Sequence, residues 1–249
     1  DLAGDFIFDF MSKPVTETEL IVKIKKALLN KDSLVTKIKD LQSQNTVLTS
    51  MLDDEKSAQI GAGRMFETEV YNKILTMDKL VMCRNCAPRQ NIIINGQEID
   101  IIAFTNSPLP FTVLIFETKY FPNAKLFGSI NESMKIVVDG REIMSEKRRN
   151  LFEQSDNQFK QVSKRIEKIL KDDNFNERNE KFRPFIQTFV VFTDSTDISQ
   201  LNMSNANKYT KLLKLKDLTP DFIMKSVFAL PKRQVSERVR KLILDNLFN

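Results

Sequence analysis

The chain of 249 residues is 41% hydrophobic and 29% charged, with a formal net charge of +5. This composition is typical of a globular protein with one large or two small domains, and the mild positive charge is compatible with nucleic acid as a partner. The chain contains no histidine, which excludes Ser-His-Asp and Cys-His catalysis, histidine-held metals and zinc fingers containing histidine. Any hydrolytic chemistry must therefore depend on carboxylates, lysine and a metal ion.

Two further exclusions concern zinc and membranes. The only cysteines, Cys83 and Cys86, form one Cys-x-x-Cys pair. Since structural zinc takes four ligands, this pair is either half of a site shared between two chains or two reduced thiols. No apolar run approaches the roughly 20 residues of a membrane helix, and no signal peptide is visible. We therefore expect a cytoplasmic protein that does not enter a membrane.

Residues 1–30 predict a strand followed by a helix. The strand is the apolar run Phe6–Met11, which Lys13-Pro14 ends, and Thr16 or Thr18 is positioned to cap the helix. From Phe10 to Leu28 the segment resembles the last strand and helix of a response-regulator receiver domain. In such a domain the phosphate-accepting Asp would lie before Asp1, so the resemblance implies either a truncated chain or a remnant of a receiver domain. The alternative is a generic βα unit packed on the rest of the protein.

Residues 31–59 predict a coiled-coil helix. The segment lacks glycine and proline, and apolar residues recur at spacings of four and three, as Leu34, Ile38, Leu41, Leu48 and Leu52, with Asn45 at one core position. A buried Asn at an a position favours a parallel dimer in one register. We therefore expect a homodimer joined through this helix. The alternative is an amphipathic helix packed on its own domain.

The residues from 60 onward predict a globular α+β domain. Ile60-Gly61-Ala62-Gly63 indicates a break in the helix before it. Short apolar runs then predict strands, which are Leu80–Cys83, Ile92–Ile94, Ile99–Phe104, Thr112–Lys119, Phe127–Ile130, Phe185–Phe192, Ile198–Leu201 and Leu212–Leu215. A hairpin is expected around Asp139-Gly140. Helices are expected at 64–76 and 157–170, flanking the sheet. We place the domain at 60–215 and basic helices, broken at Pro231, at 216–249.

Two of these strands carry charge where a buried strand should not. Asp100 interrupts one apolar run, and Glu117 and Lys119 stand two apart near the end of another. Strand alternation therefore points Glu117 and Lys119 to the same face. Carboxylates and an ammonium beside an apolar core are costly unless they bind something, and carboxylate oxygens suit Mg²⁺ or Mn²⁺. The alternative is a buried ion pair.

Four sequence elements, taken in chain order, resemble the nuclease-related domain, NERD, of the PD-(D/E)xK nuclease superfamily. They are Glu67, Ile99-Asp100, Phe116-Glu117-Thr118-Lys119 and Asn157-x-x-x-Gln161. The resemblance implies a restriction-endonuclease-like core with a central mixed sheet flanked by helices. It implies that Asp100, Glu117 and the Thr118 carbonyl hold Mg²⁺ or Mn²⁺, with help from Glu67. Lys119 then orients or deprotonates water, and Gln161 supports the site. The family usually has Gly before this Glu, whereas here Phe66 stands there.

The resemblance predicts a Mg²⁺-dependent endodeoxyribonuclease, with RNA as an alternative substrate and defence or DNA repair as a suggested role. The other hypothesis is a catalytically idle, dimeric DNA-binding or signalling module on a nuclease-like fold. One face of the helix at 157–170 is basic and can follow a phosphate backbone, although a solvated face is the alternative. Its residues include Lys160, Lys164, Arg165 and Lys168.

Overall fold

The computed structural model of the chain describes residues 17–77, 87–105, 109–129, 135–143, 151–173, 183–202, 209–231 and 235–248. The chain divides into two compact units, Asp1–Gln59 and Ile60–Asn249. In the first unit the described residues, 17–59, are helical throughout. The predicted strand at 6–11 and the receiver-like segment before residue 17 lie outside the described residues, as do the predicted strand Leu80–Cys83 and both cysteines.

The first helix, α1, spans Glu17–Leu75. The expected break at residues 60–63 is wrong, because these residues are helical and both glycines are accommodated. A glycine in a helix costs only about 1 kcal/mol relative to alanine. The turns that follow bury Phe66, Val70 and Ile74, and this packing outweighs the local preference of Gly61 and Gly63 for a break.

The main sheet has five strands, in the order β1-β2-β3-β7-β9. They are β1 (Arg89–Ile94), β2 (Gln97–Phe104), β3 (Thr112–Lys119), β7 (Phe185–Phe192) and β9 (Thr210–Lys214). The pairs β1/β2 and β2/β3 are antiparallel, whereas β3/β7 and β7/β9 are parallel. Residues 112–117 of β3 are all buried, so this central strand is covered on both faces.

A second, four-stranded sheet has the order β6-β5-β4-β8. Its strands are β4 (Ala124–Ser129), β5 (Lys135–Val138), β6 (Arg141–Ile143) and β8 (Asp197–Asn202). The turn at Asp139-Gly140 joins β5 to β6, and both of its residues have positive φ, 49° and 76°. The predicted hairpin is confirmed, and its sequence suits a turn that requires this backbone conformation.

Helices cover both faces of the main sheet. They include α2 (Leu151–Asp172), α3 (Pro220–Phe228) and α4 (Glu237–Asn246). One core cluster joins Phe66 and Val70 of α1 to Leu114 and Phe116. The other joins residues of α2, such as Val162, to Val113 and its neighbours on the opposite face.

This α+β architecture, a central mixed sheet flanked by helices, is the fold expected from the sequence. Residues 112–117 of β3 are buried between the helical layers, while Thr118 and Lys119 are partly exposed. The carboxyl end of this central strand therefore reaches the edge of the domain. Within the described residues, no helix combines the length and the apolar character needed to cross a bilayer.

Candidate active site

Asp100 is fixed where β2 and β3 separate. The ladder between the two strands ends at the pair Ile101 and Phe116, so the Thr118 main-chain N–H lies beyond it. Asp100 Oδ2 accepts hydrogen bonds from Thr118 N at 2.7 Å and from Thr118 Oγ1 at 2.8 Å. On its other side β2 faces Asn91, whose φ of 53° bends β1 at this point. A side-chain bond therefore takes the place of ladder pairing and holds the Asp100 carboxylate beside the end of β3.

Glu117 and Lys119 lie on the same face of β3, as alternation predicts. Glu117 is only 1% exposed, and its Oε1 accepts a hydrogen bond from Lys119 Nζ. Lys119 Nζ also donates to Gln154 Oε1 of α2 at 2.9 Å. The ammonium group is thus held between one carboxylate and one amide, and its side chain keeps 16% exposure.

Gln158 is a site residue that the sequence analysis missed. This fully buried side chain donates from Nε2 to Glu117 Oε2 and, at 3.1 Å, to the Glu98 carbonyl oxygen. Both neighbours are acceptors, which fixes the orientation of the amide. Gln158 Oε1 is buried and has no hydrogen-bond partner in the described part of the chain. A buried oxygen of this kind is costly, and it is suited to a donor that enters the site.

Gln161, the predicted helix glutamine, lies further along α2. Its main-chain carbonyl oxygen accepts a hydrogen bond from Asn95 Nδ2 at 3.2 Å, and it is Gln158 that contacts Glu117. The distinguishing signal was helical periodicity. Val162 is an apolar residue that faces the core, and a residue four positions before it lies on the same face of the helix.

Glu67 approaches the site from α1. It is half-buried, and its Oε1 accepts a hydrogen bond from Gln90 Nε2 at 3.2 Å. Burial raises the pKa of the Glu67 carboxyl, and the negative charge of Asp100 raises it further. The structure therefore brings Glu67 into the electrostatic range of Asp100.

The carboxylates influence one another through Asp100. Burial raises the pKa of Glu117 more than the Lys119 ammonium lowers it, and Asp100 adds to the rise. Asp100 thus disfavours the ionised form of both glutamates. In the described residues there is no cluster of three or more His, Cys, Asp or Glu side chains able to hold a metal. Any metal here would therefore also need main-chain, water or substrate oxygens.

Two of the four basic side chains considered on α2 already have partners within the protein. Lys160 Nζ pairs with Asp156 Oδ2 at 2.7 Å, and Arg165 Nη2 donates to the Asn246 carbonyl oxygen of α4 at 2.8 Å. Lys164 and Lys168 are exposed. Of the four residues predicted to meet nucleic acid, these two lysines are the ones whose ammonium groups are best placed for phosphate contacts.

A central mixed sheet flanked by helices is consistent with a restriction-endonuclease-like fold, and the cluster of Asp100, Glu117 and Lys119 lies at the carboxyl end of its central strand. The family model of the nuclease-related domain, NERD, matches residues 62–193. This match covers more than half of the chain, and the chain belongs to that family. Comparison with curated proteins and with solved structures gives no match. The matched residues include each member of the carboxylate, lysine and glutamine cluster.

Proposed function

We propose that this protein is a metal-dependent nuclease that hydrolyses phosphodiester bonds of DNA. The observation that carries the proposal is the convergence of Asp100, Glu117 and Lys119 at the end of β3, in a chain of the nuclease-related family. Family membership supports a nuclease-related function. The dependence on a metal ion and the choice of DNA as the substrate are our proposals beyond family membership.

The residues present fit a hard divalent cation. Both hydrogen bonds to the Asp100 carboxylate fall on Oδ2, and neither uses Oδ1. In a strand the N–H and C=O of one residue point to the same side, so the Thr118 carbonyl faces the side of Asp100. Together with Glu117, and with water or substrate oxygens completing the shell, these are oxygen ligands of the kind that Mg²⁺ or Mn²⁺ prefers. Glu67, on α1, lies within electrostatic range of Asp100 and would add negative charge near the ion. When bound, such an ion supplies positive charge to the phosphate and lowers the pKa of a bound water.

The side chains around the Asp100 and Glu117 carboxylates have different proposed roles. Lys119 places a cation next to Glu117, where it can contact a phosphate oxygen or orient the attacking water. Gln154 and Gln158 hold Lys119 and Glu117 through hydrogen bonds, which fixes their geometry before substrate arrives. Glu67, with its raised pKa, can exchange a proton closer to neutral pH than an ordinary glutamate.

DNA is the substrate that we propose, with RNA as the alternative. Lys164 and Lys168 offer exposed positive charge on α2, and each phosphate contact of this kind makes binding dependent on salt. The other hypothesis, an idle DNA-binding or signalling module, is not favoured. An idle site would not be expected to retain Lys119 bonded to Glu117 with the Asp100 carboxylate within electrostatic range of Glu117.

The test is cleavage of plasmid and linear DNA in Mg²⁺ or Mn²⁺, with EDTA in a parallel reaction. We expect cutting with metal, none with EDTA, and a loss of about 10²-fold or more in Asp100→Asn, which keeps the shape of the side chain but removes its charge. Asp172→Asn, at an exposed position on α2, is the matched control and should cut like the wild type. Cutting that resists EDTA, or that survives Asp100→Asn, would contradict the proposal.

We also propose that α1 pairs two copies of the chain in parallel. Leu34, Ile38 and Leu41 are each more than half exposed at heptad spacing. In a parallel pair Asn45 meets its counterpart and forms a hydrogen bond, whereas an antiparallel pair would place it against an apolar residue. The face therefore fits a second copy in one register.

Light scattering of the purified protein measures this pairing. We expect the mass of a dimer for the wild type and of a monomer for Leu41→Lys, because two ammonium groups would then meet in the seam. Ser43→Lys adds the same charge at an exposed position two residues away, outside the seam, and should leave the dimer intact. A monomeric wild type, or equal effects of both variants, would reject the pairing.

A further inference from the structure

A cleft of about 500 Å³ opens beside the site, on the side of α1. Its walls include Met65 and Phe66 of α1, Tyr120 after β3, and two carboxylates, Glu69 and Asp194. All of these residues belong to the second unit, Ile60–Asn249. The volume exceeds that of a single planar ring, so the cleft can admit a nucleobase-sized group.

The cleft is linked to the candidate active site by residues adjacent in the chain. Tyr120 directly follows Lys119, and Phe66 directly precedes Glu67. The rings of Phe66 and Tyr120 are in contact, with centroids 6.0 Å apart and planes at 49°. Phe66 belongs to the core cluster on the α1 face of the sheet, so Tyr120 lies on that face while Lys119 points to α2. Two residues that line the cleft are therefore direct chain neighbours of two candidate site residues.

The chemistry of the cleft selects a planar, polar-edged ligand. Tyr120 is 38% exposed and Met65 is 76% exposed. An aromatic ring and a thioether are therefore accessible to solvent in the cleft. Glu69 and Asp194 would repel a phosphate, but carboxylate oxygens accept hydrogen bonds from the amino groups of bases. Asp194 is already held in place, because its Oδ1 accepts from Lys216 N at 2.7 Å. These features favour a base over the sugar-phosphate backbone.

We propose that this cleft binds an unpaired nucleobase of the strand being cut, so that the enzyme acts on single-stranded DNA or on unpaired ends. The proposal rests on the proposed nuclease function. A base inside a duplex is stacked on both sides and cannot present its face to Tyr120 without losing its stacking and pairing interactions. A base that is already unpaired avoids this cost and stacks on the ring. Arg64, in the adjoining groove of α1, is placed to contact the backbone of such a strand.

The test measures binding in EDTA, so that no cleavage is required. A single-stranded oligonucleotide containing 2-aminopurine, and a hairpin duplex of the same sequence, are titrated with the full chain. We expect tighter binding of the single strand and quenching of its fluorescence. Tyr120→Ala should weaken single-strand binding by about tenfold or more and relieve the quenching, whereas Tyr120→Phe, which keeps the ring, should bind like the wild type.

A second variant covers the case in which Tyr120→Ala fails to fold. Met65→Glu changes an exposed side chain at the edge of the cleft and should also weaken single-strand binding. Lys211→Ala, at an exposed position on β9, should not. Unchanged binding in a folded Tyr120→Ala, or duplex binding as tight as single-strand binding, would overturn the inference alone. If the wild type binds neither oligonucleotide, both the inference and the nuclease proposal fail. If it binds the single strand through Tyr120 but never cuts, only the nuclease proposal fails.

Discussion

Replacing Lys119 with alanine is expected to slow DNA cleavage by about 10²- to 10⁴-fold at neutral pH. The Lys119 ammonium is fixed by two acceptors, Glu117 Oε1 and Gln154 Oε1. In the proposed mechanism it is therefore pre-positioned to meet the negative charge that develops on the phosphate, without rearrangement during the reaction. Single-turnover nicking of supercoiled plasmid, with enzyme in excess, measures the chemical step. A rate close to that of the wild type would mean that Lys119 serves only as the counter-ion of Glu117.

The matched control for this variant is Lys211→Ala, which removes an exposed ammonium from β9 and should leave the rate unchanged. Lys119→Ala should also lower the free energy of unfolding at neutral pH by about 3 to 5 kcal/mol, because Glu117 is left buried without a cation. The loss should shrink in acid as Glu117 takes up a proton, since its pKa already lies above the ordinary value. Urea unfolding at both pH values separates this structural effect from the catalytic one.

The central part of the fold was predictable because each of its strands is a short run of apolar residues in the sequence. β3 and β7 coincide with the expected Thr112–Lys119 and Phe185–Phe192. Alternation within β3 alone placed Glu117 and Lys119 together, since that geometry is local to one strand. The sequence did not specify how β4 pairs with β8 to form a second sheet, because such pairing depends on residues distant in the chain.

The parts of the site that were missed depend on contacts between elements. The bond from Thr118 to Asp100 exists because the β2/β3 ladder stops at Phe116, and no sequence period shows where a ladder ends. The choice of Gln161 followed the spacing of a family pattern, whereas the buried glutamine on α2 is Gln158. The helical break expected at Gly61 and Gly63 was overridden by the burial of Phe66 and Val70 in the core. Local preferences here were weaker than packing.

Glu117→Gln should abolish cleavage, with a loss of about 10³-fold or more, and should change how stability depends on pH. The variant keeps the volume of the side chain but removes a charge that would bind the metal ion. Burial and Asp100 raise the pKa of Glu117 in the folded protein above the ordinary value of 4.5. The folded state therefore binds this proton more tightly than the unfolded state does, and the wild type loses stability as the pH rises through the folded pKa.

The signature of this effect is a difference between two unfolding curves. The free energy of unfolding of Glu117→Gln, minus that of the wild type, should grow as the pH rises above about 4.5 and then level off beyond the raised folded pKa. Glu153→Gln, at an exposed position on α2, should show no such change and should cut DNA normally. A difference that instead shrinks with rising pH would mean that the Lys119 ammonium outweighs burial. In that case the ionised Glu117 carboxylate would stabilise the fold through its pairing with Lys119. Its burial would then not carry the cost in stability that is expected of a functional residue such as a metal ligand.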